Sequence, residues 1–438
     1  MSTRPRLTVI GTGYLGATHA VCMAELGFEV LGLDVDETKI ALLQAGEVPF
    51  FEPGLPELLR KNLETGRLRF TTSFEEVGAF GDVHFVCVGT PQKKGEMAAD
   101  MTYVDAAFTA LLPHVSAGSL LVGKSTVPAG TAERLAERIA ASRPDVELAW
   151  NPEFLREGFA VEDTLTPDRL VFGVRSAAAE AALRAAFAPV LALPTPVVVT
   201  DFATAQLVKV AANAFLATKI SFINAMAEVC EATGGDVTML SKALSYDTRI
   251  GGRFLHAGLG FGGGCLPKDI RAFMARAGEL GVDQALSFLK EVDAINLRRR
   301  ARMIDLAREE LGGSFGGRRV AVLGAAFKPN SDDIRDSPAL DVAASIQRQG
   351  AAVTLFDPAA MDNARGRHPE LGYRESAVEA ARGADIVLHL TEWAEFREMD
   401  PAALSEVVAE RRIVDGRNAL DPARWRAAGW TYRALGRP

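Results

Sequence analysis

Short runs of hydrophobic residues alternate along this chain with stretches that have the period of amphipathic helices. The first run, residues 7–10, is followed by a helical stretch to Leu26 and by a second run, residues 29–33, that ends in Asp34. A strand, a helix and a strand in this order predict a βαβ unit. Further strand-like runs follow at residues 83–88, 120–123 and 147–150. Alternating strands and helices predict a doubly wound parallel sheet.

The pattern changes after residue 200 and then returns. Residues 207–232 contain almost no Gly or Pro and are apolar nearly all round, which predicts one long buried helix. A second helical run covers residues 286–311. Strand-like and helical runs then alternate again, at residues 319–324, 338–349, 353–356, 385–390 and 413–414. The predicted fold class is α/β, with two Rossmann-like doubly wound parallel-sheet domains (1–200 and 312–438) joined by a long central helix and a helical middle domain (201–311).

Composition limits the kinds of protein this can be. The net charge of −8 is spread along the 438 residues, which argues against nucleic acid as the main partner. The sequence has no run of ~18 apolar residues and no signal-peptide region at its short polar start, so we expect neither a membrane span nor export. Four cysteines without paired spacing argue against disulfides and against a metal site, and favour a reduced, cytoplasmic setting.

The first βαβ unit carries a dinucleotide-binding pattern. Gly11, Gly13 and Gly16 form G-x-G-x-x-G between a strand and a helix, where a diphosphate would lie at the helix N-terminus. Asp34, at the end of the second strand, is placed to accept both ribose hydroxyls. Its charge would repel a 2′-phosphate, which favours NAD over NADP.

Three further segments are ambiguous by themselves. The Gly89-Thr90-Pro91 turn and residues 124–128 follow strands, and each is as compatible with an ordinary turn as with a cofactor contact. Residues 151–157 offer two carboxylates for proton transfer or form a solvated loop. Lys209 and Asn213 share one face of an apolar helix, which favours a polar ligand over a structural salt bridge.

The strongest local pattern is a glycine-rich loop that contains a cysteine. Cys265 follows Gly264 and precedes Lys268 and Asp269. Nearby cations lower the pKa of a thiol and make the thiolate available, so Cys265 is the candidate nucleophile. The other three cysteines, Cys22, Cys87 and Cys230, lie in apolar runs typical of a core.

Basic residues follow the strands of the second sheet. Lys328 and Arg335 lie in the turn after residue 324, and Arg417 follows the last predicted strand. Each alone is compatible with a solvated charge. Together with the first sheet they suggest a nucleotide-bearing substrate that faces NAD.

These motifs, in this order over essentially the whole chain, resemble the UDP-glucose/GDP-mannose dehydrogenase family. The resemblance implies NAD-dependent, four-electron oxidation of UDP-glucose to UDP-glucuronate, with Cys265 forming a thiohemiacetal and then a thioester. It implies that Lys209, helped by Asn213, stabilises oxyanions. It further implies that Glu153 and Asp269 act as acid, base or water-positioning groups, with Thr126 holding water.

The resemblance also assigns binding positions and a partner. It places NAD against Gly11, Gly13, Tyr14, Leu15, Gly16, Asp34, Lys39, Gly89, Thr90, Pro91, Ser125, Thr126, Glu157, Lys268 and Arg335. It places the sugar nucleotide against Glu153, Phe154, Leu155, Lys209, Asn213, Phe254, Leu255, Gly262, Lys328 and Arg417. It lets Arg249 reach the substrate of a neighbouring subunit, which implies a homodimer built on the long central helix.

Alternatives remain open at this level. Gly264 stands where a serine is common in this family. The same chemistry on dTDP-glucose, GDP-mannose or another nucleotide sugar is also compatible with these motifs. A two-electron hydroxyacid-type dehydrogenase would not need Cys265. A non-catalytic NAD-binding protein would not need Cys265, Lys209, Glu153 and Asp269 together.

Overall fold

The computed structural model describes residues 4–437 and divides into two compact units. The first unit comprises Met1–Ala212 and Arg271–Gly281, and the second comprises Asn213–Ile270 and Val282–Pro438. The chain passes between the units at three points, of which two lie within the helices Phe202–Thr233 and Leu266–Glu279 and the third follows Gly281.

The first unit is built on an eight-stranded sheet. Its strand order is β3-β2-β1-β4-β5-β6-β7-β8, and all neighbours are parallel except β6 and β7, which pair antiparallel through Trp150 and Gly173. The strands are β1 (Leu7–Ile10), β2 (Val30–Leu33), β3 (Leu68–Thr71), β4 (Val83–Val86), β5 (Leu120–Gly123), β6 (Glu147–Trp150), β7 (Leu170–Gly173) and β8 (Val197–Thr200).

Helices cover both faces of this sheet. They are α1 (Tyr14–Glu25), α2 (Glu37–Gln44), α3 (Leu55–Glu64), α4 (Phe74–Phe80), α5 (Thr102–Leu111), α6 (Thr131–Ser142), α7 (Ala160–Leu165), α8 (Ala177–Ala186) and α9 (Ala188–Leu191). Because side chains alternate across a strand, Val9 packs into the core on one face and Ile10 into the core on the other. Both faces are thus buried, as in other parallel sheets.

Four helices follow the first sheet. They are α10 (Phe202–Thr233), α11 (Val237–Ser245), α12 (Leu266–Glu279) and α13 (Phe288–Glu310), with a 3₁₀ turn at Asp283–Leu286. Buried polar groups join α10 to its neighbours in the second unit. The Ser221 hydroxyl donates to the Val292 carbonyl at 2.7 Å, and the Gly258 N–H donates to Asn224 at 2.9 Å.

The second unit contains a six-stranded parallel sheet of order β11-β10-β9-β12-β13-β14. Its strands are β9 (Arg319–Leu323), β10 (Ala352–Phe356), β11 (Gly372–Tyr373), β12 (Ile386–His389), β13 (Arg412–Asp415) and β14 (Thr431–Ala434). Its remaining helices are α14 (Pro338–Arg348), α15 (Met361–Arg367), α16 (Ala377–Ala381), α17 (Ala394–Glu398), α18 (Pro401–Ser405) and α19 (Pro422–Ala427).

The predicted fold class is confirmed by these two doubly wound sheets with helices between them. The sequence pattern omitted β3, β7, β8, β11 and β14, which lie at or near sheet edges. The predicted long helix is present, but the expectation that it is buried is wrong. Phe215, Phe222 and Val229 are 66%, 49% and 52% exposed, because nothing in the second unit covers this face among the described residues.

By length and composition, α10 is also long and apolar enough to cross a membrane. In the structure, 44% of its most apolar 18-residue stretch is buried. The core helices of globular proteins meet the same criterion.

Candidate active site

The glycine loop of the first unit is shaped to admit a dinucleotide. A Cβ atom on Gly16 would lie 1.8 Å from the carbonyl oxygen of Gly11, so only glycine lets α1 pack this closely on β1. In contrast, no atom lies within 4 Å of a Cβ built on Gly13, the residue before α1. Open space therefore faces the helix N-terminus, where Tyr14 and Leu15 begin the first turn, and this arrangement fits the diphosphate of NAD.

Asp34 lies beside this loop at the end of β2. Its carboxylate accepts the Thr12 N–H at 2.8 Å and the Lys39 ammonium at 2.9 Å. Burial by itself would raise the pKa of Asp34, but the hydrogen bonds from Lys39, Thr12 and Asp36 outweigh it and hold the pKa below its usual value. Asp34 is thus an anion at neutral pH, as a ribose-binding carboxylate requires.

Two of the ambiguous motifs are joined at the carboxyl edge of the first sheet. The Thr90 hydroxyl donates to the Thr126 carbonyl at 2.8 Å, and the Ser125 hydroxyl donates to the Val88 carbonyl at 2.7 Å. The loops after β4 and β5 therefore form one continuous surface. A Cβ on Gly89 would meet no atom within 4 Å, so this surface has open space at Gly89.

A buried ion pair occupies the same unit. The Lys209 ammonium lies 3.2 Å from Glu153 Oε1, and the Leu155 N–H donates to Glu153 Oε2 at 2.6 Å. The centre of the Phe154 ring lies 5.7 Å from the Lys209 ammonium and 3.8 Å from the Arg169 guanidinium. The structure thus brings together Lys209, Glu153, Phe154 and Leu155, which the sequence could only place on separate segments.

Lys124 is a residue whose individual role the sequence did not indicate. It is buried and donates to Asn151 Oδ1 at 3.0 Å. Burial lowers its pKa, and Lys209 lowers it further, whereas Cys87 and Glu153 act in the opposite direction. Lys124 therefore adds a second ammonium group near Glu153. The sequence indicated Lys124 only as a member of residues 124–128, a segment that follows a strand.

Glu52 is a second residue that the sequence did not indicate. This buried carboxylate accepts the Gly158 N–H and the Ala160 N–H, each at 2.7 Å, and also the Tyr14 hydroxyl. Burial and the Glu52 charge raise the pKa of Tyr14 well above its usual value. Glu157, also buried, lies close enough to Tyr14 to act in the same direction. Glu52 thus ties the start of α1 to the segment that follows residues 151–157.

We expect Glu52→Ala to lower the free energy of unfolding by about 3 kcal/mol, because the Ala160 N–H and the Tyr14 hydroxyl lose their acceptor and the Gly158 N–H keeps only the Tyr14 oxygen. Denaturant unfolding of the purified protein measures this. Glu57→Ala is the matched control, since the Glu57 side chain is 71% exposed and pairs with Arg60 across a surface turn of α3. Equal stabilities of the two variants would contradict the assigned role of Glu52.

The candidate nucleophile lies in the second unit at the start of a helix. The Cys265 carbonyl accepts the Asp269 N–H at 3.0 Å, so Cys265 directly precedes the first turn of α12. A thiolate is stabilised at a helix N-terminus by the helix dipole. Cys265 is exposed, whereas Cys22, Cys87 and Cys230 are buried. Burial raises the pKa of Cys22 and of Cys87 to about 12, which leaves these thiols protonated.

Asp269 lies on the first turn of the same helix and is almost fully buried. It accepts the Asn213 amide at 2.7 Å and the Lys268 ammonium at 2.5 Å. Asn213 and Asp269 therefore form a buried polar pair. The ammonium group of Lys268, a residue predicted to contact NAD, is hydrogen-bonded to the Asp269 carboxylate.

Residues 249–255 form a loop that carries three of the side chains predicted to bind the sugar nucleotide, and hydrogen bonds to its backbone hold this loop in place. Lys219 donates to the carbonyls of Ile250 at 3.0 Å, Gly251 at 3.2 Å and Arg253 at 2.7 Å. Arg249, whose side chain is 88% exposed, extends from this loop and pairs with Asp247. Phe254 is partly exposed with a positive φ of 62°, and Leu255 is buried.

The basic residues around the second sheet differ in their surroundings. The Arg417 guanidinium donates to the carbonyls of Leu390, Gly260 and Phe327 at 2.7, 2.9 and 3.0 Å, so it joins three loops. Arg335 pairs with Asp333 at 2.7 Å and lies against Gly264. The Lys328 ammonium is 5.3 Å from the centre of the Phe327 ring. Gly262 packs against the Asp336 backbone.

No cluster of three or more His, Cys, Asp or Glu side chains within residues 4–437 is arranged to hold a metal ion.

Comparison with known proteins identifies the family. The NAD binding domain of the UDP-glucose/GDP-mannose dehydrogenase family matches residues 5–191, its central domain matches residues 203–298, and its UDP binding domain matches residues 321–422. The chain belongs to the UDP-glucose/GDP-mannose dehydrogenase family. Family membership, predicted from the motifs, is confirmed.

Relatives of this dehydrogenase family match over the full length. The UDP-glucose 6-dehydrogenases of Rhizobium meliloti and Pseudomonas aeruginosa are each 40% identical, over 99% of this chain and over 100% and 98% of their own lengths. A solved UDP-glucose dehydrogenase from Pyrobaculum islandicum is 38% identical, with a TM-score of 0.91 over 100% of this chain and 99% of that one. The chain is therefore an NAD-dependent oxidoreductase of this family, and the prediction of NAD as cofactor is confirmed. The individual site roles stay predictions.

Proposed function

We propose that this enzyme oxidises UDP-glucose to UDP-glucuronate, in two NAD-dependent oxidations joined by a covalent intermediate on Cys265. The observation that carries this proposal is the position of Cys265, an exposed thiol in a glycine-rich loop at the N-terminus of α12. The relatives named UDP-glucose 6-dehydrogenase support UDP-glucose as the substrate. A two-electron alcohol oxidation would need no such thiol.

Residues of the first unit act on the developing charges. NAD would supply the oxidising power: one NAD molecule would accept a hydride from the alcohol carbon, and a second NAD molecule would accept a hydride from the thiohemiacetal carbon. Glu153 accepts the proton of the hydroxyl group, directly or through a water held near Thr126. The Lys209 ammonium, which is buried beside Glu153, stabilises the oxygen on which negative charge develops.

Residues of the second unit act on the aldehyde. The Cys265 thiolate attacks the aldehyde carbon, a C–S bond forms, and the carbonyl π electrons move to oxygen, which takes a proton. Loss of the hydroxyl proton, together with transfer of a hydride from that carbon to the second NAD, restores the C=O bond as a thioester. Water then adds, the C–S bond breaks, and the carboxylate leaves as the thiol is regenerated. Asp269, held by Asn213 and Lys268, is the carboxylate that orients this water.

The remaining assignments complete the proposal. Asp34 and Lys39 bind the adenosine ribose of NAD, and Lys328, Arg335 and Arg417 provide positive charge for diphosphates. We also propose that the chain has three domains, residues 1–200, 201–311 and 312–438. We assign the enzyme to the cytoplasm, which the cysteine composition supports.

We also propose a homodimer formed through α10. Exposed Phe215, Phe222 and Val229 recur at intervals of seven residues, as in helices that pack against a partner helix. Arg249 would then act on the substrate of the neighbouring subunit.

The deciding measurement is the amount of NADH formed per molecule of limiting UDP-glucose. We expect two, with UDP-glucuronate as the product. One NADH per sugar, with an aldehyde product, would contradict the four-electron reaction. No NADH from UDP-glucose, together with turnover of dTDP-glucose or GDP-mannose, would contradict the proposed substrate but not the chemistry.

A further inference from the structure

The loop that carries Cys265 is held by a side chain that neither the sequence motifs nor the proposed mechanism includes. Residues 257–265 belong to no helix or strand. Four of the five residues from Gly260 to Gly264 are glycine, and a glycine backbone has the greatest conformational freedom. The position of the thiol therefore depends on contacts from outside this segment.

Asn296 on α13 supplies the closest such contact. The Phe261 N–H donates to Asn296 Oδ1 at 2.7 Å, and Asn296 Nδ2 donates to the Phe261 carbonyl at 3.0 Å. One amide thus satisfies both backbone groups of the only non-glycine residue between Gly260 and Gly264, as a neighbouring strand would. Asn296 is 1% exposed, so water does not compete for either bond.

The approach of Asn296 also explains one of the glycines. Gly260 has a φ of 95°, and a Cβ on it would lie 2.4 Å from Asn296 Oδ1. The loop can therefore pass over the amide only with glycine at this position. The backbone after Phe261 continues in contact with the loop between β9 and α14, where the Gly263 N–H donates to the Arg335 carbonyl at 2.8 Å.

We propose that Asn296 is the positioning residue for the nucleophile: by clamping Phe261 it holds Cys265 where the thiolate reaches the aldehyde carbon. This inference rests on the proposed covalent mechanism. The thiol takes part only after the alcohol has been oxidised, so the loss of the clamp slows the second oxidation selectively. A side chain needed only for folding would lower both oxidations together.

The test compares two buried asparagines that hold the same loop. Asn296→Asp keeps the acceptor for Phe261 but replaces the donor with a charged oxygen that faces the Phe261 carbonyl. Asn224→Asp is the matched control, because Asn224 accepts the Gly258 N–H at 2.9 Å and its own amide nitrogen donates to no partner among residues 4–437. Both changes place a carboxylate in a buried site, and only the first removes a donated bond.

The readout separates the two oxidations. With limiting UDP-glucose and hydroxylamine to trap aldehyde, we expect wild type and Asn224→Asp to form two NADH per sugar. We expect Asn296→Asp to approach one, with trapped aldehyde as the main product. Single-turnover measurements should show the second oxidation slowed about 10- to 100-fold and the first changed less than about three-fold, the scale of a misplaced reacting group. Alkylation of Cys265 by iodoacetamide should slow about ten-fold in parallel.

Different failures have different meanings. Two NADH per sugar for a folded Asn296→Asp, or equal slowing of both oxidations, would overturn the positioning role. If Asn296→Asp does not fold, Asn296→Ser removes both bonds without adding a charge, and the same split is required of it. One NADH per sugar for the wild type would instead contradict the proposed function itself.

Discussion

Cys265→Ala should form no UDP-glucuronate above about one-thousandth of the wild-type rate. The variant lacks the only described cysteine that is exposed, so no thioester can form and the oxidation stops at the aldehyde. The residues assigned to NAD, among them the glycine loop and Asp34, do not include Cys265, so NAD affinity should change less than about two-fold. Product analysis by mass spectrometry and NAD titration by fluorescence measure the two expectations.

Cys230→Ala is the control for the loss of a thiol in the same unit. Cys230 is buried on α10, and burial raises its pKa, so it should be inert and the variant should keep wild-type turnover within about two-fold. Formation of acid by Cys265→Ala at the wild-type rate would show that the reaction does not use a thioester.

The second large effect is expected for Lys209→Met, which keeps an apolar chain of similar length and removes the ammonium. We expect kcat to fall about 10²- to 10³-fold, equivalent to about 3–4 kcal/mol, because a buried cation that faces developing negative charge acts mainly on the transition state. KM for the sugar nucleotide should change by less than about five-fold. Steady-state kinetics with both substrates varied measures this division.

Lys61→Met is the control for this change of charge. Lys61 also pairs with a carboxylate in the first unit, that of Glu25, but its side chain is 58% exposed, so its loss should leave kcat unchanged. An unchanged kcat in Lys209→Met, or a rise in KM alone, would remove Lys209 from the chemical step.

Most of the first sheet and its cofactor loop could be predicted because their determinants are local. A short apolar run, the glycines at 11, 13 and 16, and Asp34 lie within 28 consecutive residues, and the structure places them as expected for a βαβ unit. The edge strands were missed for a related reason. Val197–Thr200 is partly exposed and pairs on one side only, so its sequence lacks the pattern of a buried strand.

The candidate site could be predicted only where chemistry is concentrated in one segment. The loop around Cys265 has an unusual composition that the sequence itself displays. Glu52 has no comparable signal, because it is a single acid in a stretch of apolar and proline residues, and its partners Gly158 and Ala160 lie 106 and 108 residues away. Asn296 likewise lies 35 residues from the backbone that it binds.

The sequence by itself determined the fold class, the family and the cofactor, because helix and strand periods and phosphate-binding turns depend on neighbouring residues. Only the tertiary structure decided which buried polar groups meet and which apolar surfaces stay uncovered. The sequence pattern indicates that α10 is apolar all round, but whether Phe215 is buried depends on which other elements pack against that face of the helix. The same holds for Glu52, Lys124 and Asn296, since a buried polar group must find its partner in space, at any distance along the chain.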